Sequence, residues 1–216
     1  MNETVSICSF NCRGLGDKRK RADVLNFLNT KKFSIVCLQD VHWTCEMENQ
    51  IKLDWGYDCF FSHGTSNSRG TAILLNDNFI FKAHGYKSDP GGNWVILDIT
   101  FSDLRVSLAN IYGPNQDDPS FYKNIMDEIE SYNNAHSIIC GDFNLVQQPN
   151  MDTMNYNSVG NPKARKEVLN MMNIHDLIDP WRENNPTARR YTWRQPTPLN
   201  KGDLTSFSCH TRCSQW

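Results

Sequence analysis

Four apolar runs in this chain stop at residues that can ionise, hydrogen-bond or bind a cation. Ser9-Phe10-Asn11-Cys12-Arg13-Gly14 closes the first and Cys37-Leu38-Gln39-Asp40 the second. Asn110-Ile111-Tyr112-Gly113-Pro114-Asn115 closes the third and Gly141-Asp142-Phe143-Asn144 the fourth. Strand ends are rigid platforms for ligand oxygens. If the four runs are neighbouring strands, Asn11, Asp40, Tyr112, Asp142 and Asn144 meet at one edge. In the last run, strand alternation turns Asp142 and Asn144 the same way, with Phe143 packed behind. A carboxylate there can take a proton from water, and an amide can hold a phosphate oxygen. The same residues also suit a plain turn; the three companion runs favour the chemical reading.

The elements that must position these groups follow from periodicity. Residues 5–10 and 34–38 read as buried strands, joined by a helix over 17–30. Its apolar side is Ala22, Val24, Leu25 and Leu28, and Lys18, Arg19, Lys20 and Arg21 form a solvated start or a phosphate contact. Residues 72–75, 94–101, 105–111 and 137–140 read as further strands. Asp118-Pro119 and Asn161-Pro162 each give a cap followed by proline. They open helices through Phe121, Tyr122, Ile125, Met126 and Ile129, and through Leu169 and Met172. Residues 190–193 look like one arm of a hairpin. Strands and helices mixed without strict alternation imply an α+β fold or a sandwich of two sheets with helices outside.

Composition bounds the function. The 216 residues suit one domain, and 39% hydrophobic with 21% charged residues is a globular balance that excludes general disorder. A net charge of −2 gives no global basic field, although a cation site needs carboxylates that offset basic residues elsewhere. No apolar run approaches the ~20 residues of a membrane span. Met1-Asn2-Glu3-Thr4 does not open a signal peptide, so an intracellular protein is expected. The eight cysteines are then expected as free thiols. Cys209, His210 and Cys213 make a poor zinc site, with no fourth ligand. The histidines at 42, 63, 84, 136 and 175 carry no evident catalytic context.

The order F-N-C-R-G-L, L-Q-D, N-I-Y-G-P-N, G-D-F-N resembles the endonuclease/exonuclease/phosphatase superfamily. Within it, Arg13-Gly14-Leu15, the run from Ser68-Arg69-Gly70 to Leu74, and Tyr191-Thr192-Trp193-Arg194-Gln195 resemble the endonuclease of LINE-type retrotransposons. That group is related to apurinic/apyrimidinic endonucleases. The resemblance implies a four-layer α/β sandwich of two mixed sheets, with the site at one sheet edge. It implies that Asn11 and Asp40 hold Mg²⁺ (Mn²⁺ as a substitute) and that Tyr112 supports the scissile phosphate. Asp142 orients and deprotonates water, and Asn144 positions the phosphate. Thr192 lies on a hairpin turned to duplex DNA, with Arg13 and Arg194 as further DNA contacts. Arg189 and Arg190 flank the same hairpin, where Trp193 suits either DNA or the core. A nuclear monomer, with a reverse transcriptase downstream, completes the expectation.

Two departures stand out. The family's glutamate after L-Q is Asp40 here, one methylene or about 1.5 Å shorter. After the hairpin, the family's L-D-F-F strand and its later Ser-Asp-His motif do not follow, so the domain is expected over 1–204 without its last strands. Residues 205–216 are then expected as an aberrant tail. One nucleotide string encodes L-T-S-F-S-C-H-T-R-C-S-Q-W in one frame and L-D-F-F-L-L-S-H-T-L-L-P-V in another. A frame shift near Gly202 would account for the tail. Asp203 and His210 are weak stand-ins for the missing acid and histidine. The rival readings are an inactive retroelement remnant and another phosphodiesterase or phosphatase, such as a sphingomyelinase, on the same fold.

Overall fold

The computed structural model describes residues 4–154 and 160–194, with backbone alone for 193–194, 201–202 and 205–210. The chain begins with β1 (Ile7–Asn11) and crosses through α1 (Lys18–Lys31). It returns parallel to β1 as β2 (Ile35–Gln39), with Asn11 opposite Gln39. A 3-10 turn (Cys45–Met47) leads into α2 (Glu48–Trp55), and β3 (Cys59–Ser62) and β4 (Thr71–Leu75) complete a mixed sheet ordered β1-β2-β4-β3. An antiparallel meander follows through β5 (Phe81–Ser88), β6 (Trp94–Phe101) and β7 (Leu104–Tyr112). Helix α3 (Pro119–Glu130) then crosses to β8 (His136–Asp142), parallel to β7.

Beyond β8 come α4 (Pro149–Asp152), β9 (Thr153–Met154), α5 (Pro162–Ile174), α6 (Pro180–Asn184), β10 (Trp193–Arg194), β11 (Lys201–Gly202) and β12 (Thr205–His210). Strand β12 lies antiparallel on the β8 edge, so the second sheet is ordered β12-β8-β7-β6-β5. A small sheet ordered β10-β11-β9 stands apart from the two large ones.

The layers follow from which residues alternate. β2 and β4 are buried along their whole length, as strands covered on both faces must be. Val36 and Leu38 pack towards α1 and α2 with Leu25, Ile51 and Trp55. Ile35, Cys37, Ile73 and Leu75 pack against Val95, Leu97, Ile99 and Leu108 of the second sheet. That sheet's other face carries Ile96, Ile111 and Ile139 against Tyr122, Ile125 and Val168 of α3 and α5. The result is helix, sheet, sheet, helix, the expected α+β sandwich. β5 is an exposed edge carrying Lys82 and Lys87, with an irregular register between Ala83 and Gly85. Charges and a bulge on an edge oppose further strand pairing.

Some expectations are corrected. Ala22 is exposed, and Arg21 takes the inward position on α1. Its guanidinium bonds Asp54 at 2.9 Å and the Leu15 and Gly16 carbonyls at 3.3 Å. Lys20 donates to the carbonyls of Cys12, Arg13 and Gly14 at 2.7–2.9 Å. Long cationic side chains bury their stems and deliver the charge where acceptors wait. Only Lys18 and Arg19 of the run keep the solvated role, both exposed. Asn161 makes no side-chain cap for α5. Asp117 does this instead, accepting from the amides of Lys163 (3.2 Å) and Ala164 (2.7 Å). α2, β3 and β5, whose apolar patterns are short or mixed, are elements that periodicity alone did not reveal. Cys8, Cys12, Cys37, Cys45, Cys59 and Cys140 are free, as expected; Cys209 and Cys213 lie outside the described side chains.

Candidate active site

Two parallel pairs, β1 with β2 and β7 with β8, end at the same edge of the sandwich. In the second pair Tyr112 stands opposite Asp142. Between the pairs, Asn11 Nδ2 donates to Asp142 Oδ2 at 2.8 Å. One residue further inside, Gln39 and Asn110 join the sheets. Gln39 Nε2 donates to Asn110 Oδ1 at 2.6 Å, and Asn110 Nδ2 donates to the carbonyls of Leu38 and Ala72 at 2.9 Å. Both residues are fully buried. This amide bridge fixes the height at which the four strand ends meet. It lies inside the L-Q-D and N-I-Y motifs, which sequence reasoning noted without giving these two amides a task.

Asp142 is 7% exposed. Burial pushes its carboxyl above the ordinary range, while the hydrogen bonds from Asn11 and from the Asn144 amide hold it back; nearby Asp40 raises it further and Arg13 lowers it. The convergence with Asn144 does not come from strand alternation. β8 ends at Asp142, and Asn144 sits in the left-handed region at φ 49°. Its amide donates to Asp142 Oδ1 at 3.0 Å, and its Nδ2 donates to the Gly113 carbonyl at 2.6 Å. Asn161 Nδ2 in turn donates to the Asn144 carbonyl at 3.1 Å, which is why it does not cap α5.

Asp40 lies past the end of β2 with φ 53°. Its Oδ1 accepts from His42 Nε2 at 3.1 Å and from the Arg69 amide at 3.1 Å. Oδ2 accepts no bond among the described residues. His42 was expected to lack a catalytic setting and is corrected: it touches the candidate ligand, in an apolar-polar context no spacing rule flags. Arg13, Asp40, His42, Arg69 and Asn144 are all non-glycine residues with positive φ at this one edge. Such conformations cost of order 1–3 kcal/mol each and gather where function demands a fixed geometry. Gly14 belongs to the same edge: at φ 81°, a Cβ would stand 2.8 Å from the His42 ring.

Tyr112 is half-buried at the end of β7. Burial raises its phenol above the ordinary value, reinforced by the charges of Asp40 and Asp142, while a hydrogen bond with Asn144 and the charge of Arg69 oppose the rise. The hydroxyl thus stays a donor at neutral pH. The side chains of Asn11, Asp40, Asp142 and Asn144 offer oxygen ligands without sulfur, a hard set that fits Mg²⁺ or Mn²⁺.

The remaining predicted residues are placed less fully. Arg13 is exposed, and its amide donates to Asn11 Oδ1 at 3.0 Å. Thr192 is exposed immediately before β10, which pairs antiparallel with β11. The described backbone there is thus a pair of antiparallel strands. The side chains of Trp193 and Arg194 lie outside those described.

A model of the Endonuclease/Exonuclease/phosphatase family matches residues 8–198. The chain is 28% identical over 193 residues, 88% of its length, to the Transposon TX1 uncharacterized 149 kDa protein of Xenopus laevis, and spans 14% of that protein. Its fold is similar to an AP endonuclease from Archaeoglobus fulgidus, with TM-score 0.71 and 18% identity over 95% of this chain and 86% of that one. It is also similar to the AP endonuclease LMAP from Leishmania major, with TM-score 0.74 and 17% identity over 95% and 78%. A 3′ phosphatase from Neisseria, bound to product DNA hairpin, gives TM-score 0.71 and 18% identity over 95% and 85%.

Proposed function

Because this chain belongs to the endonuclease/exonuclease/phosphatase family, we propose that it is a Mg²⁺-dependent phosphodiesterase of endonuclease type that nicks duplex DNA, the nuclease module of a LINE-like retroelement. The observation that carries this is Asp142: buried, held at both oxygens, and within electrostatic reach of Asp40 and Tyr112. Asp142 orients the attacking water and takes its proton. Tyr112 donates to a phosphate oxygen. Asn11 and Asn144 hold phosphate without adding negative charge, which a charged diester would repel. Asn11 and Asp40 would hold the cation, which when bound offsets the charge of the diester and of its transition state.

DNA as substrate is supported by the structural relatives, two AP endonucleases and a phosphatase bound to a DNA hairpin. Arg13, Thr192 and Arg194 are the proposed DNA contacts. The transposon relative supports a retroelement origin; a reverse transcriptase as companion domain, a nuclear site of action and a monomeric state are part of the same proposal.

A second reading rests on Asp40. Mg²⁺ requires close octahedral distances, and the shorter side chain is already turned by His42 and Arg69. This copy is therefore proposed to bind its cation weakly and to be impaired.

Nicking of supercoiled plasmid with Mg²⁺ tests the proposal. Asp142→Ala should lower the rate by about 10²–10⁴-fold, the usual worth of a general base. Nicking that survives this substitution unchanged would come from another site or another protein and would overturn the assignment.

A further inference from the structure

A second group of ligand-type side chains lies a few residues beyond Asp40. Cys45, Glu48 and His63 each offer one ligand atom, and these atoms all lie within 4.8 Å of one another. Cys45 opens the 3-10 turn and Glu48 opens α2, so the two are three residues apart on consecutive helical backbone and share a face. His63 follows directly after β3. Its Nε2 stands 3.1 Å from Glu48 Oε2, close to the spacing of two ligands on one tetrahedral ion.

Other contacts show that the group is pre-formed. The His63 ring stacks on Phe61 at 5.7 Å, which fixes its plane. His63 Nδ1 has no hydrogen-bond partner among the described residues, so the ring meets its neighbours through Nε2, the nitrogen turned to Glu48. Lys52 pairs with Glu48 Oε1, which leaves Oε2 turned to His63. The Trp43 carbonyl accepts from the Gly64 amide at 3.0 Å, which holds the two segments side by side.

We infer that Cys45, Glu48 and His63 form a zinc-type transition-metal site with a fourth position open to water. One thiolate, one imidazole and one carboxylate suit Zn²⁺. A sulfur ligand discriminates against Mg²⁺, so this site and the oxygen-only edge at Asn11 and Asp40 select different ions. Zinc displaces the thiol proton on binding, so occupancy falls with acid. The ion would clip the start of α2 to the segment after β3. Asp40 and His42 precede the first of these segments and Arg69 follows the second, and the two flanks are joined by backbone bonds from Val41 to Gly70 and from His42 to Arg69. The site thus braces the strand end that carries Asp40 and does not depend on what reaction occurs there.

Cobalt is the probe. The full chain titrated with Co²⁺ should develop a thiolate-to-cobalt charge-transfer band, lost on adding Zn²⁺ and indifferent to excess Mg²⁺. Cys45 is exposed, so Cys45→Ser should fold; it should lose the band and lower Zn²⁺ affinity by more than about 100-fold, since even outer partners of a metal site are worth 10–100-fold. Glu48→Gln should weaken binding, and Asp142→Asn should leave the band intact. Zn²⁺ should raise the melting temperature of the parent and not of Cys45→Ser. Absence of the band in the parent, or a band of equal strength in Cys45→Ser, would overturn the inference.

Discussion

At the scale of single residues, the chemistry turns on two carboxylates whose surroundings differ. Asp142 is buried between the sheets, and its raised carboxyl value sets the pH dependence. As a base it works ionised. The single-turnover rate should therefore rise with pH through a midpoint above the ordinary aspartate value of about 3.9 and then level off. For stability the sign is opposite: the ionised carboxylate costs the folded state above the raised value, and that cost vanishes below the unfolded value. A rate profile with its midpoint below the ordinary value would contradict the role. Tyr112→Phe should lower the rate by about 10²–10³-fold, the worth of one preorganised donor. Asp40→Glu should tighten Mg²⁺ binding, measured by calorimetry; equal affinity in the two proteins would remove the case for an impaired copy. The sequence showed Asn11, Tyr112 and Asp142 clearly, because each ends an apolar run. It did not show His42, Gln39 or Asn110 as positioning residues, since a lone polar residue beside a strand carries no period that reveals its partner.

At the scale of elements, the backbone does the placing. Gly141 has φ 141°, and any Cβ there would collide with the carbonyl of Ile111 on the neighbouring strand. Gly141→Ala should cost about 3 kcal/mol or more in denaturant unfolding, the range of overpacking combined with backbone strain. Helix α5 offers a sharper contrast. Asp117 bonds its first amides, and Asn161 does not. Asp117→Ala should lower stability by about 1 kcal/mol, as loss of a helix cap does. Asn161→Ala should act mainly on the Asn144 loop and hence on the rate. The cap-plus-proline pattern located the start of α5 correctly and assigned the cap to the wrong residue, because the competing acceptor, the Asn144 carbonyl, comes from 17 positions away. In α1 the apolar stripe likewise failed at one place: Arg21 is inside because Asp54 lies on a helix that periodicity did not reveal.

At the scale of the whole molecule, two sheets must face each other before any site exists. The apolar runs of β2 and β6 were legible as strands, and the mix of strands and helices together with the family resemblance gave the sandwich class. The polar bridge of Gln39 and Asn110 crosses this interior. Asn110→Ala would remove the bonds to the Leu38 and Ala72 carbonyls, while Gln39 Nε2 keeps Ser9 Oγ and the Cys37 carbonyl; each buried group left unpaired costs about 1–3 kcal/mol. A loss of at least about 2 kcal/mol is expected, with reduced nicking because the strand ends would no longer be held at one height. A backbone strand, β12, follows Gly202 and pairs with β8. The frame shift proposed for this segment is a matter of nucleotide sequence, and reading the locus beyond codon 200 decides it; a tail with no L-D-F-F-like alternative frame would end the idea.

The central claim is that the tips of β1, β2, β7 and β8 surround a single hard cation. Backbone amide NMR spectra recorded while Mn²⁺ is added in small steps test it most directly, because the paramagnetic ion broadens what lies nearest. Signals of residues 11–14, 39–42, 112–113 and 142–144 should fade together at the lowest Mn²⁺ level and return on adding excess Mg²⁺. Broadening that spares these residues, or that spreads over surface carboxylates with no shared centre, would contradict the account.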